Sequence, residues 1–172
     1  MRLNELAKKY NTDKKIKDGV KCQNGLLGHG YVVDYEKILN NKDIKSLLEI
    51  GVSFGGSLKM WDEYFNYDCE IVGIDIEEKR FKKSQLENER IKIKIGDQSN
   101  EHFLKTLGYK NYDLIIDDGS HIPNHQLISF KVLFEFLNKG GIYVIEDLHV
   151  SEKTKNITSA EEWKKKEDEE NK

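Results

Sequence analysis

Short apolar runs alternate with longer segments of helical periodicity through the middle of the chain. The apolar runs cover residues 45–52, 69–76, 90–97, 112–119 and 141–148, and they predict β-strands. The segments between them predict helices over 56–65, 78–89, 100–109 and 125–140. In the last segment, apolar residues recur at helical spacing, and Gly140 and Gly141 are expected to end the helix. These apolar residues are Leu127, Phe130, Phe134 and Leu137. Strands that alternate with helices form right-handed βαβ units, so we predict an α/β fold with a doubly wound, mostly parallel, Rossmann-like sheet in the order 3-2-1-4-5.

The two flanks of this pattern have a different character. Residues 1–44 predict a helix over 3–10, a polar loop over 24–31 and a second helix over 32–41, which together would cap the sheet. Residues 45–150 form the α/β core. Residues 151–172 are highly charged and have few apolar side chains besides Ile157 and Trp163, which indicates a charged tail.

Composition narrows the possible partners. The chain has 172 residues, 34% of them charged, with a formal net charge of -3, so its charge favours neither nucleic acid nor an anionic membrane as a partner. Cys22 and Cys69 are too few for a disulfide scaffold and lack metal-site spacing. No apolar run approaches membrane-spanning length. We expect a cytoplasmic protein with a small-molecule substrate.

A glycine-rich turn follows the first predicted strand. In "EIGVSFGGS" the glycines, Gly51 among them, allow close approach of the backbone to a ligand, and Ser57 opens the next helix. Asp75 ends the second strand roughly 20 residues later, where an acid binds ribose hydroxyls in nucleoside-binding α/β proteins. Together the two features favour a nucleoside cofactor, although the glycines could simply form a turn and Asp75 could cap a helix.

The residues around this turn favour one cofactor. Ser53 stands where a dinucleotide site has its middle glycine, and Glu49 suits a ligand that carries an ammonium group. S-adenosylmethionine carries a positive charge and an ammonium group. Asp97 and Gln98, after the third strand, could hydrogen-bond an adenine edge or cap the following helix.

Acids end the fourth and fifth strands. Asp117 and Asp118 end one, and Glu146 and Asp147 end the other. Neighbouring strands lie about 4.8 Å apart, so one divalent ion could bridge the two ends. An all-oxygen ligand set favours Mg²⁺ or Mn²⁺ over softer metals.

Two alternatives to this metal site remain. His121 and His125 have the i,i+4 spacing of a zinc pair, but Pro123 lies in the first helical turn between them and no cysteine joins them. The acids could also cap helices without binding any metal.

The same stretches resemble a known family. "LLEIGVSFGGSLKMWDEYF", "IVGIDI", "IKIGDQS", "YDLIIDDGSHIPNHQLISFKVLFEFL" and "GGIYVIEDLH", with the earlier "LAKKYNTDK" and "HGYVVDYEKIL", are similar to metal-dependent class I S-adenosylmethionine O-methyltransferases that modify sugars of macrolides and other antibiotics. The resemblance implies Mg²⁺ on Asp118, Glu146 and Asp147. It also implies His121 as general base and the cofactor near Gly51, Asp75 and Asp117.

The expected chemistry gives the histidine a role. A sugar hydroxyl must lose its proton as it attacks the sulfonium methyl group, and an imidazole close to a metal-bound hydroxyl can accept that proton. His121 could instead cap the next helix. Tyr31, His125 and His149 are secondary candidates on the substrate side; a turn is as good an interpretation of Tyr31, and surface positions are slightly favoured for the two histidines.

One departure from the family concerns the end of the sheet. Family members continue beyond the fifth strand into two more strands, for which this chain has no apolar run. We therefore expect an exposed sheet edge, which a neighbouring copy in a homo-oligomer could cover. A non-catalytic methyltransferase-like subunit and a nicotinamide-dependent oxidoreductase remain alternative functions.

Overall fold

A parallel sheet of five strands forms the centre of the structure, a computed structural model that describes residues 2–149. The strands are β1 (Ser46–Ile50), β2 (Glu70–Asp75), β3 (Ile91–Ile95), β4 (Tyr112–Asp117) and β5 (Leu137–Ile145). Their order is β3-β2-β1-β4-β5, and every neighbouring pair is parallel. The predicted fold class and strand order are confirmed.

Helices connect the strands. They are α1 (Arg2–Lys9), α2 (Val32–Ile38), α3 (Gly56–Tyr64), α4 (Lys83–Leu86), α5 (Glu101–Lys105) and α6 (Pro123–Leu133), and a 3-10 turn over Phe134–Phe136 follows α6. The helices predicted over 78–89 and 100–109 are present only as the short α4 and α5. None of the helices in residues 2–149 is long and apolar enough to cross a membrane. The predicted tail, 151–172, lies outside the described residues.

Apolar side chains fill both faces of the sheet. All five residues of β1 are buried, because helices cover the sheet on each side. Leu47 packs into one core with Trp61 of α3 and Leu3 of α1. Leu48 points the other way and packs with Leu104 and Leu133. The helices α1 and α2 thus belong to the core that covers one face of the sheet.

The segment over 125–140 differs from its prediction. The helix α6 ends at Leu133, and Leu137 already pairs with Tyr112 as the first residue of β5, so Gly140 and Gly141 lie inside a strand. The apolar side chains that share this helical spacing are not buried: Leu127, Phe130 and Phe134 are 48%, 37% and 52% exposed. Pairing with β4 overrides the helical periodicity of this segment, because Leu137 and residues 142–145 extend the sheet beside β4.

The strand β5 lies at an edge of the sheet. No further strand follows it within residues 2–149, and most of its side chains are only half-buried. Within the described residues β5 is therefore an edge strand, with β4 as its neighbour.

Candidate functional site

The glycine turn after β1 packs against the end of β4. Gly51 has φ of +94°, and a Cβ there would lie 2.0 Å from the carbonyl oxygen of Asp118, so only glycine fits. Asp75 holds the turn from β2, because its Oδ2 accepts hydrogen bonds of 3.0 Å from the backbone N–H groups of Val52 and Ser53. The predicted glycine loop and its strand-end acid therefore form one unit.

Two further residues of the predicted cofactor site lie around this turn. Ser57, near the start of α3, lines the cavity described below. Glu49 is fully buried, and its Oε1 is 3.4 Å from the ammonium of Lys14. Burial raises the pKa of Glu49 to about 7, and the neighbouring Lys14 opposes that rise. Within the chain, the cation that faces Glu49 is thus a lysine.

The residues after β3 are largely occupied by contacts within the chain. Oδ1 of Asp97 accepts hydrogen bonds from the backbone N–H and the hydroxyl of Ser99, at 2.7 and 2.8 Å. Gln98 is buried; its Nε2 donates to Asp117 and Ser129 and its Oε1 accepts from the N–H of Ser120. Both Asp97 and Gln98 also line the cavity. Gln98 thus ties the ends of β3 and β4 together.

Asp117 and Asp118 point into different environments. Asp117 is fully buried beside Gln98 and is not among the residues that line the cavity. Burial raises the pKa of Asp117 to about 6, although hydrogen bonds from Gln98 and Gly119 lower it. Asp118 lines the cavity. The two adjacent acids therefore do not share a ligand.

A cluster of metal-ligand type forms where β4 and β5 end. One ligand atom each from Asp118, His121 and Asp147 lies within 4.8 Å of the others. The backbone places them in an unusual way: His121 and Asp147 have φ of +56° and +54°, a left-handed conformation that is costly outside glycine. Pro123 is the first residue of α6, so His121 precedes the helix as the sequence indicated.

Lys14 lies beside this cluster and was not predicted from the sequence. It is fully buried, and its Nζ donates to Oδ2 of Asp118 at 2.6 Å and to Oε1 of Glu146 at 2.8 Å. The Tyr35 hydroxyl, 2.5 Å away, also donates to this oxygen of Glu146. Burial alone would lower the pKa of Lys14, but the surrounding carboxylates raise it well above its usual value, so the side chain stays charged.

Burial and charge at this site favour a further cation. Burial raises the pKa of Asp118 and of Glu146, and Lys14 only partly offsets this. One ammonium faces three carboxylates, those of Glu49, Asp118 and Glu146, so it cannot balance them all when they are ionised. The donor set of carboxylate oxygens with one imidazole is compatible with Mg²⁺ or Mn²⁺.

The substrate-side candidates surround Asp147. The Tyr31 hydroxyl donates to Oδ1 of Asp147 at 2.6 Å, and Nδ1 of His29 and of His149 lie 3.3 and 3.9 Å from the same oxygen. Burial, followed by the Asp147 carboxylate, raises the pKa of Tyr31. The His149 side chain is 67% exposed, and it lines the cavity described below.

His125 does not fit the surface interpretation. It is buried in α6, and its Nδ1 is 3.0 Å from the hydroxyl of Ser120. That interpretation is wrong for His125, because α6 turns this side of the helix inward. The i,i+4 pair with His121 does not form a metal cluster among the described residues, since His125 is not part of the group that Asp118 and Asp147 complete.

A cavity of about 780 Å³ joins these parts at the carboxyl ends of the strands. The glycine turn and Asp75 line one side of it, and Asp118, His121 and Asp147 line another. The N-terminal segment contributes a polar wall: Asn11, Thr12, Asp13, Gln23, Asn24 and His29. One cavity can therefore hold a nucleoside-sized ligand next to the acidic cluster.

Comparison with known proteins agrees with this architecture. Demethylmacrocin O-methyltransferase of Streptomyces fradiae is 38% identical over 158 residues, which are 85% of this chain and 36% of that protein. Mycinamicin VI 2''-O-methyltransferase of Micromonospora griseorubida is 36% identical over 158 residues, which are again 85% of this chain and 36% of that protein. Over most of its length the chain is thus similar in sequence to these two O-methyltransferases. The resemblance expected from the sequence is confirmed.

The fold of the relatives is shared as well. MycE methyltransferase from the mycinamycin biosynthetic pathway, solved in complex with Mg and SAH, matches 87% of this chain and 40% of its own length, with 34% identity and a TM-score of 0.72. This chain thus has the class I methyltransferase fold. It spans about 36% of the length of the first curated relatives. No family model matches the chain.

Proposed function

We propose that the chain is an S-adenosylmethionine-dependent, Mg²⁺- or Mn²⁺-dependent O-methyltransferase that acts on a hydroxyl of a sugar or glycosylated small molecule. The observation that carries the proposal is the cavity in which Gly51 and Asp75 face Asp118, His121 and Asp147. The relatives support it, because they are named as O-methyltransferases of demethylmacrocin and of mycinamicin VI.

The cofactor would lie on the side of the glycine turn. The bare backbone at Gly51 permits close approach of a ligand. Asp75 holds the turn with Oδ2, and its Oδ1 accepts a hydrogen bond of 3.4 Å from the N–H of Glu77. That oxygen is suited to ribose hydroxyls. Ser57 and the Asp97–Gln98 turn complete this half of the cavity.

The divalent ion would lie on the acidic side. Asp118 and Asp147, which belong to the group of possible metal ligands, would hold it. Glu146 is not in that group, and it would contribute Oε2, the oxygen that does not face Lys14 and Tyr35. Such an ion, when bound, stabilises negative charge that develops on a hydroxyl oxygen. Tyr31 would fix the orientation of Asp147 through its hydrogen bond.

His121 would be the general base. It lines the cavity, and its Nε2 lies 3.7 Å from Oδ2 of Asp147, so a hydroxyl presented to the acids is within reach of the imidazole. His121 would take the hydroxyl proton as the oxygen attacks the methyl group. The remaining requirement is alignment of oxygen, carbon and sulfur, which the walls of the cavity would provide.

Calorimetric titration with S-adenosylhomocysteine tests the cofactor part of the proposal. Asp75→Ala removes both the acceptor for the turn and the acceptor for ribose, so binding should weaken about 10-fold or more. Asp75→Asn keeps an oxygen for the turn but replaces the ribose acceptor, and it should also weaken binding. The control is Asp34→Asn, an exposed acid of α2. Unchanged affinity in both Asp75 variants would contradict the assignment.

A further inference from the structure

Lys14 has no part in the reaction outlined above, yet it is a fully buried charged side chain near the site. Its side chain is fully buried, and it is not among the residues that line the cavity. Its ammonium contacts acids that lie 104 and 132 residues further along the chain. A lysine from the N-terminal segment thus links the ends of β4 and β5.

We propose that Lys14 is a positioning residue for the divalent-cation site. Lys14 holds the carboxylates of Asp118 and Glu146 in the arrangement that receives the ion. The inference rests on the proposed function, since it assumes that these acids bind a cation. Lys14 acts through the acids and touches neither cofactor nor substrate.

The geometry gives the physical reason. Asp118 and Glu146 are like-charged and buried, and they would turn away from one another without a common donor. Lys14 binds a single oxygen of each, Oδ2 and Oε1, and leaves the second oxygen of each carboxylate for a metal ion. Hydrogen-bonded partners of this kind set the orientation of metal ligands, and their loss typically lowers metal affinity about 10- to 100-fold.

The positive charge of Lys14 has an opposite effect on metal affinity, and this difference makes the proposal testable. An ammonium close to a bound dication repels it, so a lysine that only balanced charge would weaken metal binding. Removal of such a lysine would tighten metal binding. Removal of a positioning lysine would weaken it.

The experiment compares Lys14→Met with Lys15→Met in the full chain. Lys15 is a matched control because it too is buried and ion-paired, to Asp18 at 2.9 Å, but it contacts none of the acids of the site. The affinity for Mn²⁺ is measured by electron paramagnetic resonance of the free ion, and circular dichroism verifies that each variant is folded. We expect Lys14→Met to bind Mn²⁺ at least 10-fold more weakly than wild type, while Lys15→Met binds it within about threefold.

The outcomes separate this inference from the proposed function. If the wild type binds Mn²⁺ and Lys14→Met binds it equally well or more tightly, the role of Lys14 is overturned and the proposed function is not. Failure of the wild type to bind Mn²⁺ would overturn the metal site and, with it, this inference. If Lys14→Met does not fold, Lys14→Arg and Lys15→Arg replace the pair, because arginine keeps the charge but cannot reproduce the ammonium geometry. Unaltered Mn²⁺ affinity in Lys14→Arg would then overturn the proposal.

Discussion

At the scale of single residues, burial gives neighbouring acids different properties. Asp117 and Asp118 are adjacent, but Asp117 meets Gln98 inside the protein and Asp118 faces the cavity beside Lys14. The sequence indicated that the two would separate. It could not indicate Lys14, because nothing local distinguishes this residue among the 28 lysines and arginines of the chain. Its role depends on contacts more than 100 residues away.

The buried Asp117 predicts a specific dependence of stability on pH. Burial raises its pKa from 3.8 to about 6, so the folded state holds the proton more tightly than the unfolded state does. Stability from this group is complete below about pH 4 and is lost as the pH rises through 6, by at most about 3 kcal/mol. Asp117→Asn should therefore gain stability relative to wild type between pH 4 and pH 7. Urea unfolding at several pH values measures the difference.

A second acid provides the control for this measurement. Burial opposes ionisation of Asp113, but hydrogen bonds from Asn138, Lys45 and Ser46 outweigh it and lower the pKa of Asp113 below 3.8. This acid is ionised in both the folded and the unfolded state above about pH 5, so Asp113→Asn should change the free energy of unfolding by a constant amount from pH 5 to pH 7. An Asp117→Asn effect that is equally flat would contradict the account.

At the scale of elements, strands were easier to predict than helix ends. The five apolar runs coincide with the strands, except that β5 starts at Leu137 and is longer than its run. Periodicity misplaced the end of α6 because it could not include the pairing of Leu137 with Tyr112. Helical spacing of apolar residues also does not mark the buried side of α6, since Gln126 and Ser129 are buried while Leu127 and Phe130 are partly exposed.

Two leucines on α6 test which face forms the core. Leu133 is fully buried and Leu127 is 48% exposed. Leu133→Ala should lower the free energy of unfolding by about 2–5 kcal/mol, because it opens a cavity in the core. Leu127→Ala should lower it by less than about 1 kcal/mol. Chemical denaturation measures both values, and a loss at Leu127 as large as that at Leu133 would restore the face that the sequence suggested.

At the scale of the whole molecule, the site depends on four distant parts of the chain. The glycine turn, Asp75, the end of β4 and the end of β5 meet because the order β3-β2-β1-β4-β5 places their strands side by side. This convergence could be predicted from the sequence, since strand ends in a parallel sheet share one edge. The polar wall that residues 11–29 add could not, because loops carry no periodicity that fixes their path.

A crystal structure of the full chain grown with S-adenosylhomocysteine and Mn²⁺ tests the central claim most directly. The account predicts S-adenosylhomocysteine in contact with Gly51 and Asp75, and an anomalous manganese peak on carboxylate oxygens of Asp118, Glu146 and Asp147. His121 should lie near the peak without bonding to it, as a general base requires. A cavity that contains neither ligand at saturating concentrations of both would contradict the account.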